Sequence, residues 1–188
     1  MNYVPSLSFF GGIRPCAYLD PSEERHTKLK SFIMDLIKTK ADKWVPEMEA
    51  ATAEIFPKWE KALRKKGKAE VNKQTAQVAC NVLIRTLVGR DPKASNLKSN
   101  GPFLFQAWYG LQLAPIATTG GVIPHVLEEI FLHTFPIPYL FVSCFYRRLV
   151  KFFKKHGAEL LELAESKYGL DKRDALHNIV FFMGFNTF

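Results

Sequence analysis

Two places in the sequence carry side chains suited to chemistry. His26-Thr-Lys-Leu-Lys30 opens a helical stretch, and side chains four residues apart lie on one helix face. Such a pair can clamp an anionic group by charge-assisted hydrogen bonds, or it can be one turn of a solvated face. Asn186 is a primary amide within Phe181-Phe-Met-Gly-Phe-Asn-Thr-Phe188. Burying an amide unpaired costs roughly 1–3 kcal/mol, so Asn186 requires a partner. That partner is either a neighbouring backbone group or a polar ligand in an apolar pocket.

Other reactive constellations are not indicated. His26, His125, His133, His156 and His177 include no i, i+4 pair and no second ligand close by, so no metal site is expected. Cys16, Cys80 and Cys144 recur 64 residues apart, which is neither a disulfide framework nor a zinc spacing, and points to a reducing compartment. No nucleophile-elbow, phosphate-loop or dinucleotide-binding motif occurs.

These residues must be positioned by helices. Residues 1–19, with Gly11-Gly12 between short aromatic runs, read as loop or edge strand. Asp20-Pro-Ser-Glu23 has the spacing of a capping box, and Leu29, Phe32, Ile33, Leu36 and Ile37 follow with helical periodicity. A second helix is expected from about Trp44 to Lys66 with a break at Pro57. A third runs from Val71 to Val88, with Val71, Ala76, Ala79, Val82, Leu83 and Leu87 inward. Further helical patterns start at Phe103 and span Leu127–Leu132, Tyr139–Lys155, Ala158–Tyr168 and the end of the chain from Asp171, with breaks at Pro115 and Gly120-Gly121. Tyr139–His156 is basic and amphipathic. It suits a membrane surface or a partner helix, or it is a half-buried helix of a larger domain.

Composition sets the limits. The chain has 188 residues, 47% hydrophobic and 23% charged, which is too apolar for intrinsic disorder. No spanning helix is expected, and no targeting peptide is visible at Met1. The net charge of +8 suits anionic surfaces or ligands. The Lys and Arg residues are dispersed without a recognition motif, so no nucleic-acid partner is expected. The chain stops on Phe188 within its most apolar stretch, and is read as a single partial domain, residues 1–188, truncated at both ends.

Three stretches are similar to one family. Tyr18-Leu-Asp-Pro-Ser-Glu-Glu-Arg-His-Thr-Lys-Leu-Lys30, Ile130-Phe-Leu-His-Thr-Phe135 and Ala175-Leu-His-Asn-Ile-Val-Phe-Phe-Met-Gly-Phe-Asn-Thr-Phe188 resemble the plant fatty-acid-hydroperoxide branch of the haem-thiolate cytochrome P-450 superfamily. That branch holds allene oxide synthases, hydroperoxide lyases and divinyl ether synthases. The resemblance covers essentially all of the chain and corresponds to the family's middle, from before the C helix into the I helix. It implies a mainly α, partial P-450 fold with a small irregular or β N-terminal edge. It implies haem b in the full-length parent and a fatty acid hydroperoxide substrate, whose own O–O bond is cleaved homolytically without dioxygen or a reductase. By the resemblance, His26 and Lys30 approach the haem propionates, Asn186 stands over the distal haem face and hydrogen-bonds the hydroperoxide, and Phe185 and Phe188 wall the lipid pocket.

Met183-Gly-Phe-Asn is more similar to lyases than to the Cys-Phe-Asn of allene oxide synthases, so the reading leans to hydroperoxide lyase. The family's cysteine-ligand loop and Glu-x-x-Arg pair are not in the sequence, and the axial thiolate tunes the iron. The 188 residues alone are therefore expected to be inactive and to bind haem weakly or not at all. The alternative from another class is a non-catalytic remnant that binds lipid or membrane surfaces through its basic helices. The location implied is peripheral on plastid membranes, or cytoplasmic.

Overall fold

The computed structural model describes residues 6–113 and 138–187. The expected breaks at Pro115 and Gly120-Gly121, the Leu127–Leu132 helix, the Ile130–Phe135 stretch and Phe188 lie outside the described residues. Seven α-helices are found among the described residues: α1 (Glu24–Thr39), α2 (Ala41–Lys66), α3 (Val71–Val88), α4 (Gly101–Leu113), α5 (Leu140–His156), α6 (Ala158–Tyr168) and α7 (Lys172–Thr187). Short 3-10 turns supplement them.

The N-terminal edge is irregular, as expected, but it carries no strand among the described residues. Two 3-10 turns, Leu7–Phe10 and Cys16–Tyr18, take its place. The reason lies in Phe9 and Phe10, which are both buried. A strand would send neighbouring side chains to opposite faces, whereas a tight turn lets both enter one core. Gly11 then reverses the chain at φ 70°, where a Cβ would stand 2.2 Å from the His177 ring.

The start of α1 shows what a capping sequence can do one turn early. Asp20 Oδ1 accepts from the Ser22 N–H at 2.9 Å, and Glu23 Oε1 accepts from the Asp20 N–H at 2.8 Å. These reciprocal bonds close a turn over residues 20–23, and the regular helix begins at Glu24. In α2 the expected break at Pro57 does not occur; the helix runs through it to Gly67, a left-handed cap. Pro57 and Ala53, whose carbonyl loses its helical donor, are both exposed, so water can satisfy that carbonyl. Ala51 and Ile55 hold the inner face of the helix in place.

Helix α3 has the expected bounds, with a left-handed Gly89 donating to the Arg85 carbonyl at 2.9 Å. Its inner face is rotated from the one expected. Val82 and Leu87 are buried as anticipated, Ala76, Ala79 and Leu83 are half-buried, Val71 is exposed, and Cys80, Ile84 and Thr86 join the buried set. Helix α7 is the spine. It packs on α1, α3, α4, α5 and α6, and Ala175 to Val180, Met183, Gly184 and Thr187 are buried. Gly184 lets α4 cross closely, since a Cβ there would lie 2.7 Å from Trp108 Cζ3.

Candidate functional site

A cavity of about 400 Å³ opens between α1, the Cys16–Tyr18 turn, α7 and Tyr109 of α4. Two helical faces meet across it. From α1 come His26, Lys30, Ile33 and Met34, and from α7 come Asn178, Phe181, Phe182 and Phe185. Each set follows the i, i+3/i+4, i+7 spacing that places side chains on one helix face. Tyr18 and Tyr109 pack around Phe181 with ring centroids 6.0 Å away in each case, and Phe10 approaches it at 5.5 Å, which gives the cavity an aromatic wall.

The wall is pinned to α7 by polar bonds. Asn178 Oδ1 accepts from the Cys16 N–H at 2.7 Å, while its Nδ2 donates to the Asp174 carbonyl at 2.8 Å. Trp108 Nε1 donates to the Phe9 carbonyl at 3.0 Å, and Arg173 Nη2 to the Gly11 carbonyl at 2.6 Å. Arg25 ties α1 to α7, with Nη2 donating to Asp174 Oδ1 at 3.0 Å and Nε 2.8 Å from Oδ2. Below the turn, the Tyr146 hydroxyl and His177 Nδ1 share a buried hydrogen bond of 2.6 Å.

Burial shifts the thiol and phenols of the wall further from ionisation. Burial pushes the Cys16 thiol up, against a smaller opposing pull from Lys30 and Arg25. Its Sγ donates to the His26 carbonyl at 3.8 Å. Burial also raises Tyr18, and takes Tyr109 up to about 12 with a contribution from Tyr18. The cavity therefore combines an apolar, aromatic body with an exposed Lys30 and a half-buried His26 at its edge. Those residues fit a flat apolar group that carries carboxylates on one side, as haem does. Cys16 is held as a thiol and bonded to backbone, and is not assigned as an iron ligand. No cluster of three metal-ligating side chains occurs among the described residues.

The structure thus brings together three of the five residues singled out from sequence: His26, Lys30 and Phe185, the last being 65% exposed. Asn186 stands beside them on α7 but does not line the cavity. It is exposed, and its Nδ2 donates to the Phe182 carbonyl at 2.8 Å, so its partner here is the backbone of its own helix. Phe188 lies outside the described residues. The sequence reading missed Asn178, Tyr18 and Tyr109. The signal for Asn178 was available, because it shares the helical face of Phe181, Phe182 and Phe185.

No family model matches the sequence. The chain is 38% identical over 188 residues to divinyl ether synthase CYP74M3 of Selaginella moellendorffii, with 98% of this chain and 38% of that protein covered. It is 39% identical to allene oxide synthase 2, chloroplastic, of Solanum lycopersicum (100% of this chain, 36% of the relative). It is 34% identical to fatty acid hydroperoxide lyase, chloroplastic, of the same plant (100% and 39%). The described residues form part of a cytochrome P-450-type helical fold. Along its whole length the chain is homologous to the CYP74 branch of the cytochrome P-450 proteins, and it spans less than two-fifths of the length of these relatives.

Proposed function

We propose that the chain supplies one wall of a haem and lipid pocket in an enzyme that transforms polyunsaturated fatty acid hydroperoxides. The observation that carries this reading is the cavity, in which His26 and Lys30 edge an aromatic body formed by Tyr18, Phe181, Phe182 and Phe185. Bound haem b would supply homolytic cleavage of the substrate's O–O bond, so no reductase is needed. Lys30 and His26 hold the anionic edge of the group by charge-assisted hydrogen bonds. The phenylalanines exclude water and receive the lipid chain, and Phe188 extends that wall. Asn186, one residue beyond Phe185, turns from the Phe182 carbonyl to donate its amide to the hydroperoxide.

The relatives at 34–39% identity span three product types. The reading leans to hydroperoxide lyase on Met183-Gly-Phe-Asn186, with allene oxide or divinyl ether formation as the alternatives. The protein works in the plastid, in keeping with relatives named chloroplastic, and associates peripherally with membrane.

The test exchanges this chain for the matching segment of the tomato hydroperoxide lyase and of the tomato allene oxide synthase. The expected chimeras bind haem and consume a fatty acid hydroperoxide, and the product, an aldehyde or an allene oxide, reads which outcome this wall favours. Lys30→Ala in the chimera is expected to weaken haem binding by about tenfold, in line with the loss of one hydrogen bond to a charged group. A chimera that folds and holds haem but leaves the hydroperoxide intact refutes the catalytic reading. If the 188-residue chain gave a stable thiolate-type haem spectrum by itself, the assignment of the iron ligand outside it would fail.

A further inference from the structure

The outer face of α5 carries a charge pattern that the proposed chemistry does not use. Val142, Tyr146, Leu149, Phe152 and Phe153 of this helix are buried, which fixes the opposite face outward. Arg147, Arg148, Lys151, Lys154 and Lys155 are all exposed. The helix contains no Asp or Glu, and among the described residues none of these five cations forms an ion pair. At a helical rise of about 1.5 Å per residue, the five charges fall within about 12 Å of helix. So dense a row of like charges without counter-charges repels itself, and an external anionic surface relieves that repulsion.

The same helix begins with large apolar side chains in water. Leu140 is 77% exposed and Phe141 65%, and Phe103 of α4, 59% exposed, stacks edge-on against Phe145 with centroids 5.6 Å apart. An apolar end joined to a cationic stripe matches the layers of a bilayer surface, where headgroup anions lie beside the acyl boundary. Two copies of the chain could not share this face without setting five cations against five. The other basic stretch, at the end of α2, is a poorer fit, because Glu60 interrupts it and lies 4.0 Å from Arg64.

We infer that the outer face of α5 docks the protein on a bilayer containing anionic lipids, with the five cations on headgroup anions and Leu140, Phe141 and Phe103 at the acyl boundary. This rests on the membrane association proposed above and assigns it to one face.

The experiment measures co-sedimentation of the chain with vesicles of phosphatidylcholine alone and of phosphatidylcholine mixed with phosphatidylglycerol, at low and physiological salt. The expected result is binding to the mixed vesicles only, weakening as salt rises. Arg148→Glu with Lys151→Glu and Lys155→Glu is expected to lower partitioning by at least about a hundredfold, from three cations lost near the surface. The equivalent reversal on α2, Lys58→Glu with Lys61→Glu and Lys65→Glu, is expected to lower it by less than about tenfold, because that stretch lies off the docked face. If the α5 reversal reduces helicity by circular dichroism, the Gln versions of the same substitutions decide by the same comparison. Failure of the unaltered chain to bind either vesicle overturns the membrane reading and this inference with it. Binding that survives the α5 change, or that the α2 change abolishes equally, overturns the assignment to this face and leaves membrane association standing.

Discussion

Asn178→Ala isolates the bond that joins the cavity's turn to its spine. The side chain is 3% exposed and makes two hydrogen bonds, one from the Cys16 N–H at 2.7 Å and one to the Asp174 carbonyl at 2.8 Å. Each is worth about 1 kcal/mol net, and a donor left unpaired in a half-buried position adds roughly another 1 kcal/mol. The expected loss is therefore about 2–3 kcal/mol, seen as a lower urea midpoint with an unchanged slope. For a chain of this size each kcal/mol corresponds to about 2–4 °C, so Tm should fall by roughly 4–12 °C. Asn178→Asp sharpens the test. It keeps an acceptor for Cys16 but sets a carboxylate oxygen against the Asp174 carbonyl, and should destabilise at least as much at neutral pH. A loss below about 0.5 kcal/mol for Asn178→Ala, the range of an ordinary surface change, would refute the claim that this amide organises the wall.

Two further outcomes follow from the core. Gly184→Ala places a Cβ 2.7 Å from Trp108, whose indole is held by the Phe9 carbonyl; crowding of about 1–3 kcal/mol should outweigh the gain of about 1 kcal/mol in helix propensity, which chemical denaturation would reveal as net destabilisation. His177 has its pKa lowered by burial and, to a smaller degree, by Arg173. The unfolded chain therefore takes up this proton first, so stability is full above the unfolded value of about 6.5 and falls as pH drops below it toward the lower folded value. The carboxylates Asp20, Glu24, Asp35 and Glu54, all held below their usual range, act only at more acid pH. His156, lowered chiefly by burial, contributes in the same window, so His177→Gln should reduce but not abolish the slope just below pH 6.5; an unchanged slope there would place the proton uptake on other groups.

Helix bounds were legible wherever local chemistry sets them. Gly89 and Gly169 take left-handed conformations directly after α3 and α6, and both helices keep the expected bounds, Val71–Val88 and Ala158–Tyr168. Pro57 misled because a missing N–H breaks a helix only when the orphaned carbonyl has no alternative, and here it faces water. That His26 and Lys30 share one face of α1 was readable from their spacing, and the structure adds that this face lines a cavity. What periodicity could not supply was the partner. Nothing local pairs residues 26–34 with 178–185, and nothing local says that Asn178 reaches the Cys16 backbone while Asn186 bonds to its own helix. Aromatic neighbours in sequence suggested burial for Asn186, yet on α7 it is exposed and bonds to its own helix.

The tethers of the N-terminal turns reach far along the chain. Trp108 reaches Phe9 across 99 residues, and Asn178 and Arg173 reach Cys16 and Gly11 across 162. Closing loops of that length is entropically costly until the packing that compensates it has formed. During synthesis the turns emerge first, and they have no α7 to dock on until residues 172–187 are made. The cavity then closes only once α7 is present, and a flat apolar guest that fills it would act on the docking of the turns against α7.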